Sequence, residues 1–456
     1  MSQRTEVKTN PLGAEPIGKL MARFAIPSIV GMLVGALYNI VDQLFIGQAI
    51  GTLGNAATNI AFPLTMSCLS LALLFGIGGA SSFNLTLGRG DRETAPFYVG
   101  NAAVMLIISG IILGSVTLLT LEPLLLLFGS PAEVLPYAKE YVSVTALGFP
   151  FFLLGTGGGH LIRADGSPKV TMVSNLIGAL INVVLDALFI FGFEWGMAGA
   201  AWATIIGQFV SAIIVLVYLK NYKTVKLKKE HFLPHLRFIT VIGSIGMASF
   251  FNQLAMMLVQ IVLNNTLKKY GAVSVYGEAI PIACAGIVMK VNQIFFSVII
   301  GISQGTQPIQ SFNYGAKNYS RVKQTYKLAC TAGGIISVFS FILFQTVPRQ
   351  ILALFGDGSP EYFEFGEKAF RIMMVFTWLN FLQPITATFF TSIGKAIKGV
   401  FLSMTRQILF LLPLIVLLPR FWGIEGILGA GPTADILAAI TAVIMVRQEF
   451  KKMVEK

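Results

Sequence analysis

One carboxylate lies deep inside an apolar segment of the sequence. The run of residues 170–193 contains Asp186, with Asn182 one helical turn before it. An aspartate at the centre of a membrane helix costs about 2.5 to 3.5 kcal/mol on insertion scales, so leucine or valine would cross the bilayer more cheaply. Residues four apart share one face of a helix. The pair therefore indicates a proton or cation site, and the alternative is an interhelical hydrogen bond that only stabilises the bundle.

Two further polar residues are expected at the depth of this pair. At about 1.5 Å per residue, Asp42 lies roughly 30 Å along a helix that starts near residue 22, and Asp186 lies roughly 25 Å beyond Lys169. Thr204 lies roughly 10 Å inside the opposite end of a helix that starts near residue 196. Two carboxylates close together with little water cannot both stay ionised at low cost, so they share a proton or hold a cation. We predict a coupling-ion site for Na⁺ or H⁺, with no other metal and no cofactor, at Asp42, Asn182, Asp186 and Thr204. The alternative for Asp42 alone is an interfacial position at the end of its span.

The composition excludes a soluble globular protein. Of the 456 residues, 55% are hydrophobic and only 12% are charged, and the mean hydropathy is +0.75. The net charge of +12 could indicate a nucleic-acid partner, but the cations cluster in short loops between apolar runs. That pattern is typical of membrane topology, so no nucleic-acid partner is predicted. The three cysteines, Cys68, Cys284 and Cys330, are too scattered for a disulfide framework or a metal motif.

Twelve membrane-spanning helices are predicted from the apolar runs. Each run is too long for a barrel strand, and only helices or closed barrels satisfy their backbone groups in lipid. The expected spans are residues 22–46, 56–85, 96–121, 138–162, 169–192, 198–219, 238–266, 279–311, 326–347, 366–390, 399–419 and 424–446. The fold class is therefore an all-α integral membrane protein, embedded in the lipid bilayer.

The distribution of Lys and Arg predicts the orientation and the domain boundaries. Both tails and the even-numbered loops are rich in these residues, so both termini are expected on the cytoplasmic side. The longest basic stretch, residues 220–237, falls after the sixth span and is expected to be a cytoplasmic linker. The predicted parts are a tail at 1–21, an N-terminal lobe at 22–219, a C-terminal lobe at 238–446 and a tail at 447–456. The first tail has no apolar segment of its own, so it is not expected to be a signal peptide.

Short glycine motifs repeat between the two halves at a constant spacing of 227 residues, or 228 at one pair. Six spans followed by six in the same orientation indicate a parallel repeat, which gives two pseudo-symmetric six-helix lobes with a cleft between them. This is the architecture of a transporter. The counterparts of Asn182 and Asp186 fall in the apolar run 409–414, so the acid pair is expected in one lobe only. The repeated motifs begin near Gly88 and Gly315, Phe128 and Phe355, Gly166 and Gly394, and Gly196 and Gly423.

The C-terminal lobe has its own charge cluster near the middle of the membrane. Lys290, Arg406 and Asp435 lie about seven to eleven residues inside their predicted spans. We predict a buried ion pair between Lys290 and Asp435, with Arg406 nearby. The cluster is either a structural pair or a substrate or relay site.

Six segments carry a family resemblance: I-P-S-I-V-G, Y-N-I-V-D-Q-L-F-I-G-Q, R-A-D-G-S-P-K, N-V-V-L-D-A-L-F-I-F-G, G-M-A-G-A-A-W-A-T and Q-G-T-Q-P-I-Q-S-F-N-Y-G-A. In these segments the chain resembles the multidrug and toxic compound extrusion (MATE) family, and in particular its MepA-like bacterial members. The resemblance implies a V-shaped antiporter of the bacterial cell membrane, which exports organic, often cationic drugs against Na⁺ or H⁺ entry. It carries the ion-site roles onto the four residues named above and a helix-bending role onto Pro27, whose missing N–H permits a kink. The seventh span lacks the acid that NorM-type members carry there.

Three function classes differ in what they require of the sequence. A drug antiporter, expected as a monomer with a small drug-like substrate, requires the acid site. A flippase for a lipid-linked precursor or polysaccharide would favour a cationic cavity, and Lys290 with Arg406 keeps that alternative open. A membrane enzyme is not expected, because there is no metal-ligand spacing, no nucleophile elbow and no P-loop.

Overall fold

Helices long enough to span a membrane make up most of the structure. The computed structural model describes residues 10–276, 279–354 and 360–453, and the regular structure in these ranges is entirely helical. Eleven helices are long and apolar enough to cross a membrane, and a pair bent by 42° brings the number to twelve. These helices confirm the predicted fold class, and their bounds lie within a few residues of the predicted spans. They are α1 (Ile17–Ala49), α2 (Thr52–Gly88), α3 (Ala95–Leu119), α4 (Leu135–Ala164), α5 (Pro168–Gly192), α6 (Gly196–Lys220), α7 (Leu236–Gly271), α8 (Ala279–Gly315), α9 (Tyr319–Thr346), α10 (Pro360–Leu379 with Leu382–Ser392), α11 (Ala396–Leu417) and α12 (Pro419–Lys452).

The backbone repeats between the two halves at the spacing seen in the sequence. Residues with a positive φ stand at three pairs of corresponding positions. Two pairs lie in turns before a spanning helix, and the third lies at the first residue of α6 and at a kink within α12. One of the six residues is a lysine, and a positive φ is uncommon for a residue with a side chain, so the fold imposes this conformation there. The motif at Phe355 lies outside the described residues. The pairs are Gly90 (85°) with Lys317 (58°), Gly166 (81°) with Gly394 (74°), and Gly196 (56°) with Gly423 (56°).

The linker between the halves is held against the first six helices. The buried Asp165 carboxylate, in the turn before α5, accepts hydrogen bonds from the backbone N–H groups of Lys223 (2.7 Å) and Thr224 (2.8 Å). Asn101 of α3 donates to the carbonyl of His231 at 3.1 Å and accepts from the N–H of His235 at 2.7 Å. Buried polar groups with such partners fix the course of the chain between two lobes.

Each half has its own hydrophobic core. One large cluster of buried side chains comes mainly from α1 to α6, and two others come mainly from α7 to α12. Between the halves, α2 packs against α7 and α1 packs against α8. The α2–α7 crossing is very close, because a Cβ atom on Gly246 would lie 1.8 Å from the carbonyl oxygen of Leu74. A Cβ atom on Gly78 would lie 2.1 Å from the carbonyl oxygen of Ile242.

A reciprocal glycine contact joins the lobes where α2 and α8 end. A Cβ atom on Gly88 would lie 2.1 Å from the carbonyl oxygen of Phe312, and one on Gly315 would lie 2.2 Å from that of Leu85. The interlobe contacts of Gly246 and Gly78 lie in the same half of the bundle, on the side of the two chain ends and the linker. The lobes are therefore joined on the predicted cytoplasmic side.

Replacing Gly315 with Ala is expected to separate the lobes on this side. The added methyl overlaps a backbone carbonyl that cannot rotate away, and overpacking of this kind costs about 1 to 3 kcal/mol, which is roughly a tenfold shift in a two-state equilibrium. Spin labels at Glu93→Cys and Ile397→Cys, in a chain whose native cysteines are replaced, would report a longer distance. Gly243→Ala is the control, because no atom lies within 4 Å of the position of its Cβ. An unchanged distance distribution in the Gly315 variant would contradict the expectation.

Candidate functional site

Helices α1, α5 and α6 approach one another at the level of their backbones. A Cβ atom on Gly207 of α6 would lie 2.6 Å from the carbonyl oxygen of Gly178 of α5. Ser174 and Ser211 exchange hydrogen bonds across the same crossing, from each hydroxyl to the other residue's carbonyl (3.5 and 3.2 Å). On the other side of α5, Gly31 of α1 leaves room for Asn175. Small residues thus bring three helices together, and polar residues farther along them meet.

The four residues predicted for the ion site form one cluster. The side chain of Asp42 on α1 and that of Asp186 on α5 lie close enough to share a proton. Asn182 on α5 also contacts Asp186, and its amide donates a hydrogen bond of 3.3 Å to the hydroxyl of Thr204 on α6. Asp42 is 7% exposed and Asp186 is fully buried at 0%. The structure therefore brings together, inside the first six helices, the residues that sequence depth placed at one level.

This cluster has more acceptor oxygens than donors. Within the described parts of the chain, neither carboxylate oxygen of Asp186, nor Oδ1 of Asp42, nor Oδ1 of Asn182 has a hydrogen-bond donor. Buried polar groups are normally paired, and an unpaired one costs free energy. A proton shared by the two carboxylates, or a hard cation with oxygen ligands, would satisfy these atoms. The described residues contain no group of three or more His, Cys, Asp or Glu residues that could hold a metal ion.

Two tyrosines beside the acids were not found from the sequence. The phenol groups of Tyr38 on α1 and Tyr141 on α4 both lie close enough to Asp42 and Asp186 for electrostatic interaction. Tyr38 precedes Asp42 by four residues, so its position on the same helical face was readable from spacing. Tyr141 was not, because the sequence does not say which face α4 turns toward α1.

The helix that carries the acid changes its winding directly after it. Residues Ala187–Gly192, which follow Asp186, form a π-helical segment. Such segments are rare and occur often at functional sites, because the wider turn weakens the regular ladder of hydrogen bonds. Phe191 of this segment packs edge-to-face on Phe45 of α1, with ring centroids 5.6 Å apart. The contact couples the irregular part of α5 to the helix that carries Asp42.

Pro27 lies on α1 between two close contacts with the other lobe. It is buried, and α1 is helical on both sides of it. Cβ atoms on Gly305 and Gly301 of α8 would lie 2.5 Å and 2.6 Å from the Cα atoms of Ala25 and Ile29. The residue predicted to permit bending therefore lies at the interface between the lobes.

The predicted ion pair between Lys290 and Asp435 is wrong. Asp435 on α12 pairs with Arg406 on α11 at 2.6 Å (Nε to Oδ1), and these side chains are 3% and 17% exposed. Asn380 of α10 also contacts Asp435. Lys290 is exposed, and the described residues offer it no ion pair. Depth does not determine the direction of a side chain around its helix, so equal predicted depth did not make Lys290 the partner of Asp435.

Replacing Thr204 with Val should weaken the binding of the coupling ion. The change keeps the shape of the side chain but leaves the buried Asn182 amide without its acceptor, and the loss of such a hydrogen bond corresponds to about 1 kcal/mol, or roughly fivefold. The half-saturating Na⁺ or H⁺ concentration of transport should rise by this factor, with little change in maximal rate. Thr204→Ser, which retains the hydroxyl, serves as the control. Equal half-saturation in the Val and wild-type proteins would contradict the role of Thr204.

The sequence and the fold were also compared with those of known proteins. Residues 27–188 and 248–417 match the family described as MatE. The chain is 26% identical over 432 residues to the multidrug export protein MepA of Staphylococcus aureus (strain MSSA476), with 94% of each chain covered. It is 24% identical over 431 residues to the protein of the same name from Staphylococcus saprophyticus, with 94% of this chain and 93% of the other covered. Its fold is similar to that of a multidrug resistance MATE family transporter in an outward-facing conformation (TM-score 0.90, 22% identity, 100% of this chain and 99% of the other).

Proposed function

Because the chain belongs to the MATE family of multidrug efflux transporters, we propose that it is a secondary antiporter. It exports organic, drug-like molecules across the cell membrane in exchange for Na⁺ or H⁺, and it works as a monomer with both termini in the cytoplasm. The observation that carries this proposal is the buried pair Asp42 and Asp186, three of whose four carboxylate oxygens lack donors within the described residues.

The coupling ion would act by joining helices. When no ion is bound, two buried carboxylates repel each other, and their interaction is strong because little water screens it. A proton or Na⁺ removes the repulsion and holds α1 to α5 and, through the hydrogen bond from Asn182 to Thr204, to α6. Ion binding therefore changes the free energy of one arrangement of α1 relative to another, which is what an ion must do to shift a conformational equilibrium.

Pro27 would connect this change to the other lobe. Pro27 and Asp42 are fifteen residues apart on α1, or about 22 Å. A bend at Pro27 would swing the outer part of α1 while the part before it, at Ala25, stays packed on Gly305 of α8. The first lobe would thus change shape around its ion site while the interface between the lobes transmits the change.

Dye efflux with two independent gradients tests the proposal. Purified protein in lipid vesicles is given a panel of dyes, and the Na⁺ and pH gradients are varied separately at zero membrane potential. Dye efflux is expected to stop when one of the two gradients is removed and to continue when the other is removed. The gradient on which efflux depends identifies the coupling ion. Efflux that requires ATP and ignores both gradients would contradict an antiporter.

A flippase for a lipid-linked precursor is the second candidate. It is favoured by the exposed Lys290, because such precursors carry phosphate groups. Movement of a fluorescent phosphate-bearing lipid between leaflets, without efflux of any dye in the panel, would support this candidate over the antiporter.

A further inference from the structure

The helices at the interface between the lobes carry very few charges within the membrane. Apart from residues in their first and last two turns, α1, α2, α7 and α8 contain only Asp42 and Lys290 as charged residues. Asp42 is buried inside the first lobe beside Asp186. Lys290 is therefore the one charge that these four helices can offer to a molecule between the lobes.

Lys290 lies on the face of α8 that is turned to the first lobe. Gly301 and Gly305, which pack directly on α1, follow it by eleven and fifteen residues. These spacings are close to three and four helical turns, so the three residues share one face. The lobes touch at the glycines, whereas Lys290, about 16 Å farther along the helix, is exposed. Its ammonium group thus projects between the lobes on the side where they are not joined by these glycines.

Neutral amides accompany Lys290 on this wall. Gln293 on α8 is exposed one turn beyond Lys290. On α7, Gln260 donates to Asn264 at 3.0 Å. Gln260 follows Gly246, which packs on α2, by fourteen residues, close to four turns, and so shares the face turned to the first lobe. The wall contributed by α7 and α8 combines hydrogen-bond donors with one cation, and neither helix contains an acidic residue.

We propose that Lys290 binds an anionic group of the transported molecule. This inference rests on the proposed function and defines its substrate class: amphipathic zwitterions or anions, with a carboxylate or a group of like charge, rather than cations that have no anionic group. A carboxylate placed at Lys290 gains a charge-assisted hydrogen bond, while a simple cation meets a like charge. The resemblance alone implies organic, often cationic drugs, but the two acids that could attract cations are buried inside the first lobe and are assigned to the coupling ion.

A matched pair of dyes tests this assignment. Tetramethylrhodamine has a free carboxylate next to its cationic ring system, and its methyl ester is a cation of nearly equal size. Binding of each dye is measured by fluorescence polarisation with the full-length protein in lipid nanodiscs, without any ion gradient. Wild type is expected to prefer the free carboxylate. Lys290→Met should weaken the binding of the carboxylate dye about tenfold, the scale of one hydrogen bond to a charged group, and should leave the ester within about twofold.

Two further variants separate recognition from structure. Lys290→Arg retains a cation and should preserve the preference, because the guanidinium also binds carboxylates. Lys268→Met removes an exposed cation from the last turn of α7 and should change neither dye. Since Lys290 is exposed, its variants should fold, and their thermal unfolding is recorded alongside. Unchanged binding of the carboxylate dye by Lys290→Met, or an equal loss for both dyes, would overturn the proposal.

The ratio of the two dye affinities tests the role of Lys290, and the gradient assay tests the antiporter, so either proposal can be contradicted without the other. The ratio of the two affinities needs no coupling ion, so it tests Lys290 even if transport is not driven by Na⁺ or H⁺. Gradient-driven efflux of either dye supports the antiporter whatever the ratio is.

Discussion

Asp186→Asn is expected to abolish ion-driven efflux while leaving the protein at least as stable as the wild type. At an effective dielectric constant of about 20, a unit charge 4 Å from another contributes about 4 kcal/mol, so removing one carboxylate should weaken cation binding at least about a hundredfold. Stability should not fall, because the oxygens of Asp186 are buried and have no donors within the described residues, and an amide avoids burying an unpaired charge. Gradient-driven efflux and thermal unfolding, measured on the same preparation, check both halves of the expectation.

An acid outside the site serves as a control, because its replacement shows what the loss of any carboxylate does to transport. Asp91 is exposed in the turn before α3, where its carboxylate accepts a hydrogen bond of 2.9 Å from the N–H of Thr94. Asp91→Asn retains an acceptor and should transport like the wild type. Asp42→Asn should behave like Asp186→Asn, because the two acids act as a pair. Gradient-driven efflux by Asp186→Asn at the wild-type rate would remove the acid pair from the mechanism.

Arg406→Met is expected to destabilise the protein by about 3 to 5 kcal/mol. Asp435 is 5% exposed and its carboxylate accepts from the guanidinium of Arg406, so the substitution leaves a buried acid without its partner. The double variant Arg406→Met with Asp435→Leu should regain most of the loss, since replacing both charges by apolar side chains is often neutral. Thermal unfolding in one detergent, with Lys290→Met as an exposed control, measures the differences.

This set of variants also checks the correction to the predicted pair. If Lys290→Met destabilised the protein as much as Arg406→Met does, Lys290 would be the partner of Asp435 after all. A double variant no more stable than Arg406→Met alone would show instead that Arg406 contributes through packing.

The sequence predicted positions along the membrane normal much better than directions around it. Asp42, Asp186 and Thr204 were assigned to one level because helical rise converts residue numbers into depth. Lys290 was placed at the depth of Asp435 by the same rule, yet Asp435 pairs with Arg406 instead. The partner of Asp435 is on α11, and only the packing of α11 on α12 determines that choice. Tyr141 was missed for the same reason, because it reaches the acids from a helix whose orientation the sequence does not specify.

The repeat was visible in the sequence as glycines at a constant spacing, but its structural meaning was not. Gly196 and Gly423 were expected to correspond, and they have the same φ of 56°. Lys317 was not recognised as the counterpart of Gly90, because no residue type marks it. Its positive φ follows from the turn that the repeated fold requires at that position.

The reciprocal contact of Gly88 and Gly315 has a consequence for the origin of the chain. Each glycine faces the carbonyl three residues before the other, and the four positions correspond at the spacing of the repeat. Such an isologous contact, in which one patch is self-complementary, is what a two-fold axis produces in a homodimer. The chain thus contains, within one polypeptide, the interface of a parallel dimer of six-helix subunits. Since only one of these subunits has the acid pair, the two have diverged in chemistry while the surface that joins them has remained symmetric.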